Sequence, residues 1–167
     1  MKKGRLTTGQ DKYSYGKRDM FQETIFTQPI VIVEDDVDDQ FLIQRVFERI
    51  GVGSELLFFA NGKDALEYLL TTEKETFLIL CDINMPVMNG LELRAKINTN
   101  ELLRRRSIPF IFLSTAARPS DVMQAYELTV QGFFVKESTL VEMEDSLKAI
   151  IRYWMKCKHP NSVKQFL

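Results

Sequence analysis

The sequence predicts an α/β fold: a doubly wound, five-stranded parallel sheet with helices on both of its faces. Three observations predict it. Short apolar runs, β-branched or aromatic and of strand length, recur five times along the chain. Between them lie longer segments whose apolar residues return at three-and-four spacing, the period of a helix with one buried face. The two kinds of segment alternate strictly, and strand–helix alternation with right-handed crossovers gives a parallel sheet covered on both sides.

The elements follow in order. "PIVIVE", from Pro29, is continuously apolar, as a strand buried on both faces requires. A helix is expected over 38–50, with Leu42, Ile43, Val46, Phe47 and Ile50 inward and Gly51 and Gly53 closing it. "ELLFFA" is a second strand. "NGKDALEYLLTT" is a second helix, capped by Asn61, with Ala65, Leu66, Leu69 and Leu70 inward. "FLILCD" is a third strand that ends on an acid, Asp82, and "NMPVMNG" is a turn-rich loop. A third helix is expected over 91–97 and a fourth strand in "IPFIFLST". The three arginines at 104–106 are expected on a solvated face between helix and strand. A fourth helix begins near Pro119 with Val122, Ala125 and Tyr126 inward, "GFFVK" is the fifth strand, and a last helix covers 139–156. Its inward stripe is Leu140, Met143, Leu147, Ile150, Ile151 and Trp154.

Composition narrows the function classes. The chain has 167 residues, enough to bury a substantial core, and 45% are apolar, which argues against disorder. The formal net charge of -1 supplies no global field toward nucleic acid or a membrane surface, so neither is expected as a partner. The apolar runs are too short to span a bilayer, and the opening "MKKG" lacks the apolar core of a signal peptide, so a cytoplasmic location is expected. Cys81 and Cys157 form no CxxC pair, and His159 is the only histidine, so neither a zinc site nor a disulfide framework is expected. Cys81 reads as a small buried apolar residue. Residues 1–27 are polar and without periodicity and are expected to be an arm: disordered, left over from expression, or partner-binding. Phe21, Ile25 and Phe26 are its candidates for packing on the domain. The domain is expected over 28–158 and a tail over 159–167.

Open parallel sheets bind and react beyond the carboxyl ends of their strands. There the sequence puts Glu34, Asp35 and Asp36 after the first strand, Asp82 after the third, Ser114 and Thr115 after the fourth, and Lys136 after the fifth. An acid at the end of a buried strand is a poor choice for packing alone. Clustered carboxylates are hard oxygen ligands suited to Mg²⁺, which would also screen their repulsion. A carboxylate can attack phosphorus to form an aspartyl phosphate. The added charge then needs cations, which Mg²⁺ and Lys136 would supply, with the Ser114 hydroxyl donating to a phosphoryl oxygen. Asp36 and Asp38 explain themselves as helix caps, and Asp39 as a first-turn acid favoured by the helix dipole.

The motifs "VEDD", "CDINMP" followed by "NG", "LST" and "VK" stand in this order at the four strand ends, and together they resemble the receiver domain of bacterial response regulators. The resemblance covers residues 29–157. It implies a flavodoxin-like sheet of order 2-1-3-4-5, with Asp82 as phosphoacceptor and a sensor histidine kinase as phosphodonor. It implies that Mg²⁺ is held by Asp35, Asp82 and the backbone carbonyl of Asn84, with Glu34 acting through water. Ser114 and Lys136 take the switch-hydroxyl and phosphate-pairing roles, and Phe133 the place of the aromatic switch. "IRYWMKCKHP" with "DDVDDQFLIQRVF" is similar to the single-domain regulators associated with bacterial phytochromes, in which a Tyr-Trp pair helps form a homodimer; here the pair is Tyr153 and Trp154. One position departs from the pattern. The family has a proline after the lysine, in a cis peptide, where this chain has Glu137. Two other functions are weighed: a non-phosphorylated interaction module, and an aspartyl-phosphate phosphatase, which would need an acid where Asn84 stands.

Overall fold

In the computed structural model, which describes residues 28–158, all five apolar runs are strands. They are β1 (Ile30–Val33), β2 (Leu56–Phe59), β3 (Leu78–Cys81), β4 (Phe110–Ser114) and β5 (Gly132–Val135). The helices are α1 (Val37–Ile50), α2 (Gly62–Thr71), α3 (Gly90–Thr99), α4 (Glu101–Arg106), α5 (Pro119–Glu127) and α6 (Leu140–Lys156). The arm over 1–27, the tail over 159–167 and His159 lie outside the described residues.

Every strand pairing is parallel and the order is β2-β1-β3-β4-β5, the doubly wound, flavodoxin-like arrangement. The three inner strands are buried along their whole length, whereas β2 is half-buried at its edge. Alternation along each strand splits the core in two. Ile30, Ile32, Leu78, Leu80, Ile111 and Leu113 face α1 and α6. Val31, Val33, Ile79, Cys81, Phe110 and Phe112 face the other helices.

Local chemistry sets the helix ends. The Asp36 carboxylate accepts from the backbone N–H groups of Asp38 and Asp39 and opens α1, and Gly51, at φ 71°, closes it in the left-handed region that disfavours a side chain. Asn61 caps α2, and Asn89 with Glu92 forms a reciprocal capping box on α3.

Three expectations are corrected. Of the arginines at 104–106, Arg104 and Arg105 are exposed as expected, but all three form the last turn of a further helix, α4, which Asn100 caps through Leu103 N–H. Arg106 turns inward and donates to the carbonyls of Leu69 and Thr72 at the end of α2, at 2.9 Å each. Second, α5 buries Asp121 and Ala125, while Val122 is half-buried and Tyr126 is 55% exposed. Third, α2 buries Ala65 and Leu69 but leaves Leu70 partly exposed. In both helices a single i, i+4 line meets the sheet, and residues one position further on are rotated about 100° away from it.

Candidate functional site

The carboxyl edge of the sheet places three side chains by backbone hydrogen bonds. Glu34 N–H donates to Phe59 O at 2.8 Å, Asp82 N–H to Val33 O at 2.9 Å and Lys136 N–H to Ser114 O at 2.8 Å. Each continues the ladder just past a strand end, so the side chains leave the sheet from fixed points. The β3–α3 loop folds back because Gly90 N–H donates to Ile83 O at 2.9 Å. A Cβ on Gly90 would run into the Asp82 carbonyl oxygen, the Phe112 ring and Cys81 Sγ, so only glycine permits this approach.

The carboxylates of Glu34, Asp35 and Asp82 bring ligand atoms within 4.8 Å of one another. Glu34 and Asp82 are buried and Asp35 is exposed, which leaves the cluster open on one side. All three are hard oxygen donors with no thiolate or imidazole among them, a set that fits a hard divalent cation such as Mg²⁺. Asn84 lies two residues past Asp82 on the exposed part of the loop.

The Lys136 ammonium sits among carboxylates. Its Nζ is 2.5 Å from Glu34 Oε2, 2.7 Å from Asp39 Oδ2 and 3.7 Å from Asp82 Oδ2. The lysine side chain is 5% exposed. Burial works against its charge, but the hydrogen bonds to Asp39 and Glu34 outweigh that, and its pKa stands above the ordinary lysine value. Burial is also the dominant influence on Glu34, whose pKa is pushed up to about 7 although Lys136 pulls it the other way. Glu34 is fixed further by Asp36 N–H, which donates to Oε1 at 3.2 Å, and by Gln40, whose amide donates to the Glu34 carbonyl at 2.6 Å. Asp82 Oδ1 accepts from Ile83 N–H at 2.7 Å, which leaves Oδ2 toward the lysine. No peptide bond among the described residues is cis, so Lys136–Glu137 is trans. The departure from the proline pattern therefore still delivers the lysine to the acids.

Two further residues stand beside this group. Ser114 is fully buried at the end of β4, and its Oγ has no hydrogen-bond partner among the described residues. Phe133 is half-buried against Phe112, with ring centroids 6.0 Å apart. Tyr153 and Trp154 lie far along α6. Their rings meet edge-on at 5.1 Å, with Tyr153 exposed and Trp154 packed against the core.

A family model for the response regulator receiver domain matches residues 30–148. The chain belongs to this family. Among receiver-domain relatives, response regulator Rcp1 of Synechocystis is 30% identical over 131 residues, 75% of this chain and 88% of Rcp1. The crystal structure of the phosphorylated cyanobacterial phytochrome response regulator RcpA matches with a TM-score of 0.71 at 29% identity, covering 81% of this chain and 99% of RcpA. The Mn²⁺-bound form of Rcp1 matches with a TM-score of 0.68 at 31% identity, over 79% of this chain and 97% of that one.

The geometry corrects the sequence reading of this receiver domain at one residue. Asp39 is more than a dipole-favoured acid in the first turn of α1, because it holds Lys136, 97 positions away. The sequence places Asp39 in the first turn of a helix that starts at the carboxyl end of β1, and so at the same end of the sheet as Asp35, but nothing local names Lys136 as its partner.

Proposed function

We propose that this chain is the phosphoacceptor receiver of a two-component phosphorelay, in which Asp82 takes a phosphoryl group from a phosphohistidine on a sensor histidine kinase. The observation that carries the proposal is a buried carboxylate, Asp82, that shares one pocket edge with two further acids and lies 3.7 Å from a buried ammonium. That is a charge layout for gaining and holding a phosphoryl group. In the transfer, an Asp82 oxygen forms the new O–P bond as the N–P bond of the phosphohistidine breaks. The N–P electron pair returns to the imidazole, which then takes up a proton from solvent. Asp35, Asp82 and the Asn84 carbonyl, with Glu34 through water, would hold Mg²⁺. When bound, Mg²⁺ supplies positive charge to the phosphoryl oxygens and makes the carboxylate cluster tolerable. The Mn²⁺ form of Rcp1 supports a divalent cation here.

Lys136 pairs with the phosphoryl group, and the unpartnered Ser114 hydroxyl donates to one of its oxygens. Motion of Ser114 toward the phosphate makes room for Phe133, and the α5–β5–α6 face changes its partner affinity, a population shift set by local charge. Tyr153 and Trp154 are the proposed contacts of a homodimer. The domain spans 28–158 and acts in the cytoplasm.

The test is incubation with acetyl phosphate and Mg²⁺. One hydroxylamine-labile phosphate per chain is expected, lost in Asp82→Asn and on chelation of the metal. Uptake that persists in Asp82→Asn overturns the assignment, whereas a wild-type chain that takes up none is a non-phosphorylated interaction module. Sedimentation of both forms reads the dimer in the same samples.

A further inference from the structure

The lysine of the site is engaged away from the phosphoacceptor. Lys136 Nζ is 2.5 Å from Glu34 Oε2 and 2.7 Å from Asp39 Oδ2, but 3.7 Å from Asp82 Oδ2. The two short contacts are charge-assisted hydrogen bonds, and the third is too long to be one. Glu34 leaves from the end of β1 and belongs to the acid cluster itself. Asp39 does not; it sits on the first turn of α1, and its carboxylate is only partly buried.

We propose that Asp39 is a positioning residue, a tether that holds Lys136 toward α1 in the resting protein and competes with the phosphoryl group for its ammonium. The proposal rests on the phosphoacceptor reading for its consequence, but its geometry stands without phosphate. When Asp82 carries a phosphoryl group, Lys136 must reach new oxygens beyond Oδ2. Every contact it keeps with Asp39 is then a donor withheld from the phosphate. Asp39 therefore sets the balance between the resting and phosphorylated states. Removing its charge shifts that balance toward phosphate, without adding any group to the site.

Asp38 provides the control. It is the adjacent acid, it is exposed, and the carboxylates paired with Lys136 are those of Glu34, Asp39 and Asp82. Asp38→Asn therefore removes a nearby negative charge and leaves the tether intact.

Two readouts test the proposal. In phosphate-free protein without added metal, the ¹⁵N resonance of Lys136 Nζ is expected to shift in Asp39→Asn, to stay in place in Asp38→Asn and to return in Asp39→Glu. With acetyl phosphate and Mg²⁺, the lifetime of the phosphorylated protein is expected to rise about fivefold in Asp39→Asn relative to Asp38→Asn, the scale of one partly exposed ion pair. Asp39→Glu restores the shorter lifetime. An unmoved Lys136 resonance in Asp39→Asn overturns the tether, as does a lifetime equal to that of Asp38→Asn, or an Asp39→Glu protein that tracks Asp39→Asn in both readouts. A wild-type chain that takes up no phosphate refutes the phosphoacceptor reading instead, and the lysine resonance alone then decides the tether.

Discussion

Gly90→Ala is the sharpest test of how the site is held. In an ordinary helix, replacing glycine by alanine stabilises by about 0.4–1 kcal/mol, because the unfolded chain loses freedom. Here the added Cβ meets the Asp82 carbonyl oxygen, a ring carbon of Phe112 at 2.8 Å and Cys81 Sγ at 3.0 Å. Carbon contacts are favourable near 3.5–4.0 Å. None of the three neighbours yields easily: Phe112 and Cys81 are buried in the core, and the third is the backbone at the end of β3. Relief requires α3 to lift away from β3. Overpacking of this kind costs about 1–3 kcal/mol, so after the chain-entropy gain a net loss of roughly 1–2 kcal/mol remains. In a domain of this size that lowers the melting temperature by roughly 3–10 °C. Gly53→Ala is the matched control, since a Cβ there has nothing within 4 Å. Thermal and urea melts of the two variants give the comparison. Gly90→Ala is also expected to slow acetyl phosphate labelling, because the displaced carbonyl belongs to Asp82. A Gly90→Ala protein that melts with or above Gly53→Ala refutes the reasoning.

Two other substitutions separate stability from function. Ser114→Ala removes a fully buried hydroxyl that has no partner among the described residues, so it is expected to leave urea stability unchanged or raise it by about 1 kcal/mol while shortening the lifetime of the acyl phosphate. A loss above that size would mean that the hydroxyl is already engaged in the resting protein. Val87, in the β3–α3 loop, has φ 68° and is 77% exposed, so its branched side chain bears the strain of the left-handed region without packing in return. Val87→Asn is expected to raise the urea midpoint by the equivalent of about 1 kcal/mol, and a lower midpoint refutes that account.

The sheet was legible because its signals are local. Buried strands such as Ile30–Val33 and Leu78–Cys81 need continuous apolar runs, and helices such as α1 need one apolar stripe, so each declares itself within a few residues. The strand ends then name Glu34, Asp82, Ser114 and Lys136 by position alone. What was not legible depends on packing between distant segments. On α5 Ala125 is inward as expected, but Val122 and Tyr126 are not buried with it, because only the contact with the sheet chooses among apolar neighbours. The helix at Glu101–Arg106 is not legible because six residues, with only Leu102 and Leu103 apolar, are too short to show a helical period. Buried Arg94 was missed as well. It reads as a surface charge, yet it donates to the carbonyls of Leu128 and Thr129 at the end of α5, where the helix dipole favours a cation.

The same division runs through the run of acids from Glu34 to Asp39. Read locally, it splits into a strand-end pair for chemistry and a helix start for capping. Asp36 obeys that split, its carboxylate taking the N–H groups of Asp38 and Asp39, whereas Asp38 is not a cap but an acid of the first turn. Asp39 crosses the split. Its backbone serves the cap while its carboxylate serves Lys136, and nothing within α1 could reveal the second role, because the partner arrives from β5 on the far side of the sheet order. The consequence is electrostatic. Three carboxylates, those of Glu34, Asp39 and Asp82, face the ammonium of Lys136, and a fourth, that of Asp35, clusters with Glu34 and Asp82. Under the proposed function, such an excess of negative charge would need a divalent cation in the cluster and the lysine turned toward Asp82 before a phosphoryl group is held. On the proposed reading, occupancy of the acid cluster and freedom of Lys136 are coupled, and a charge removed at Asp39 frees the lysine while leaving the three clustered carboxylates in place.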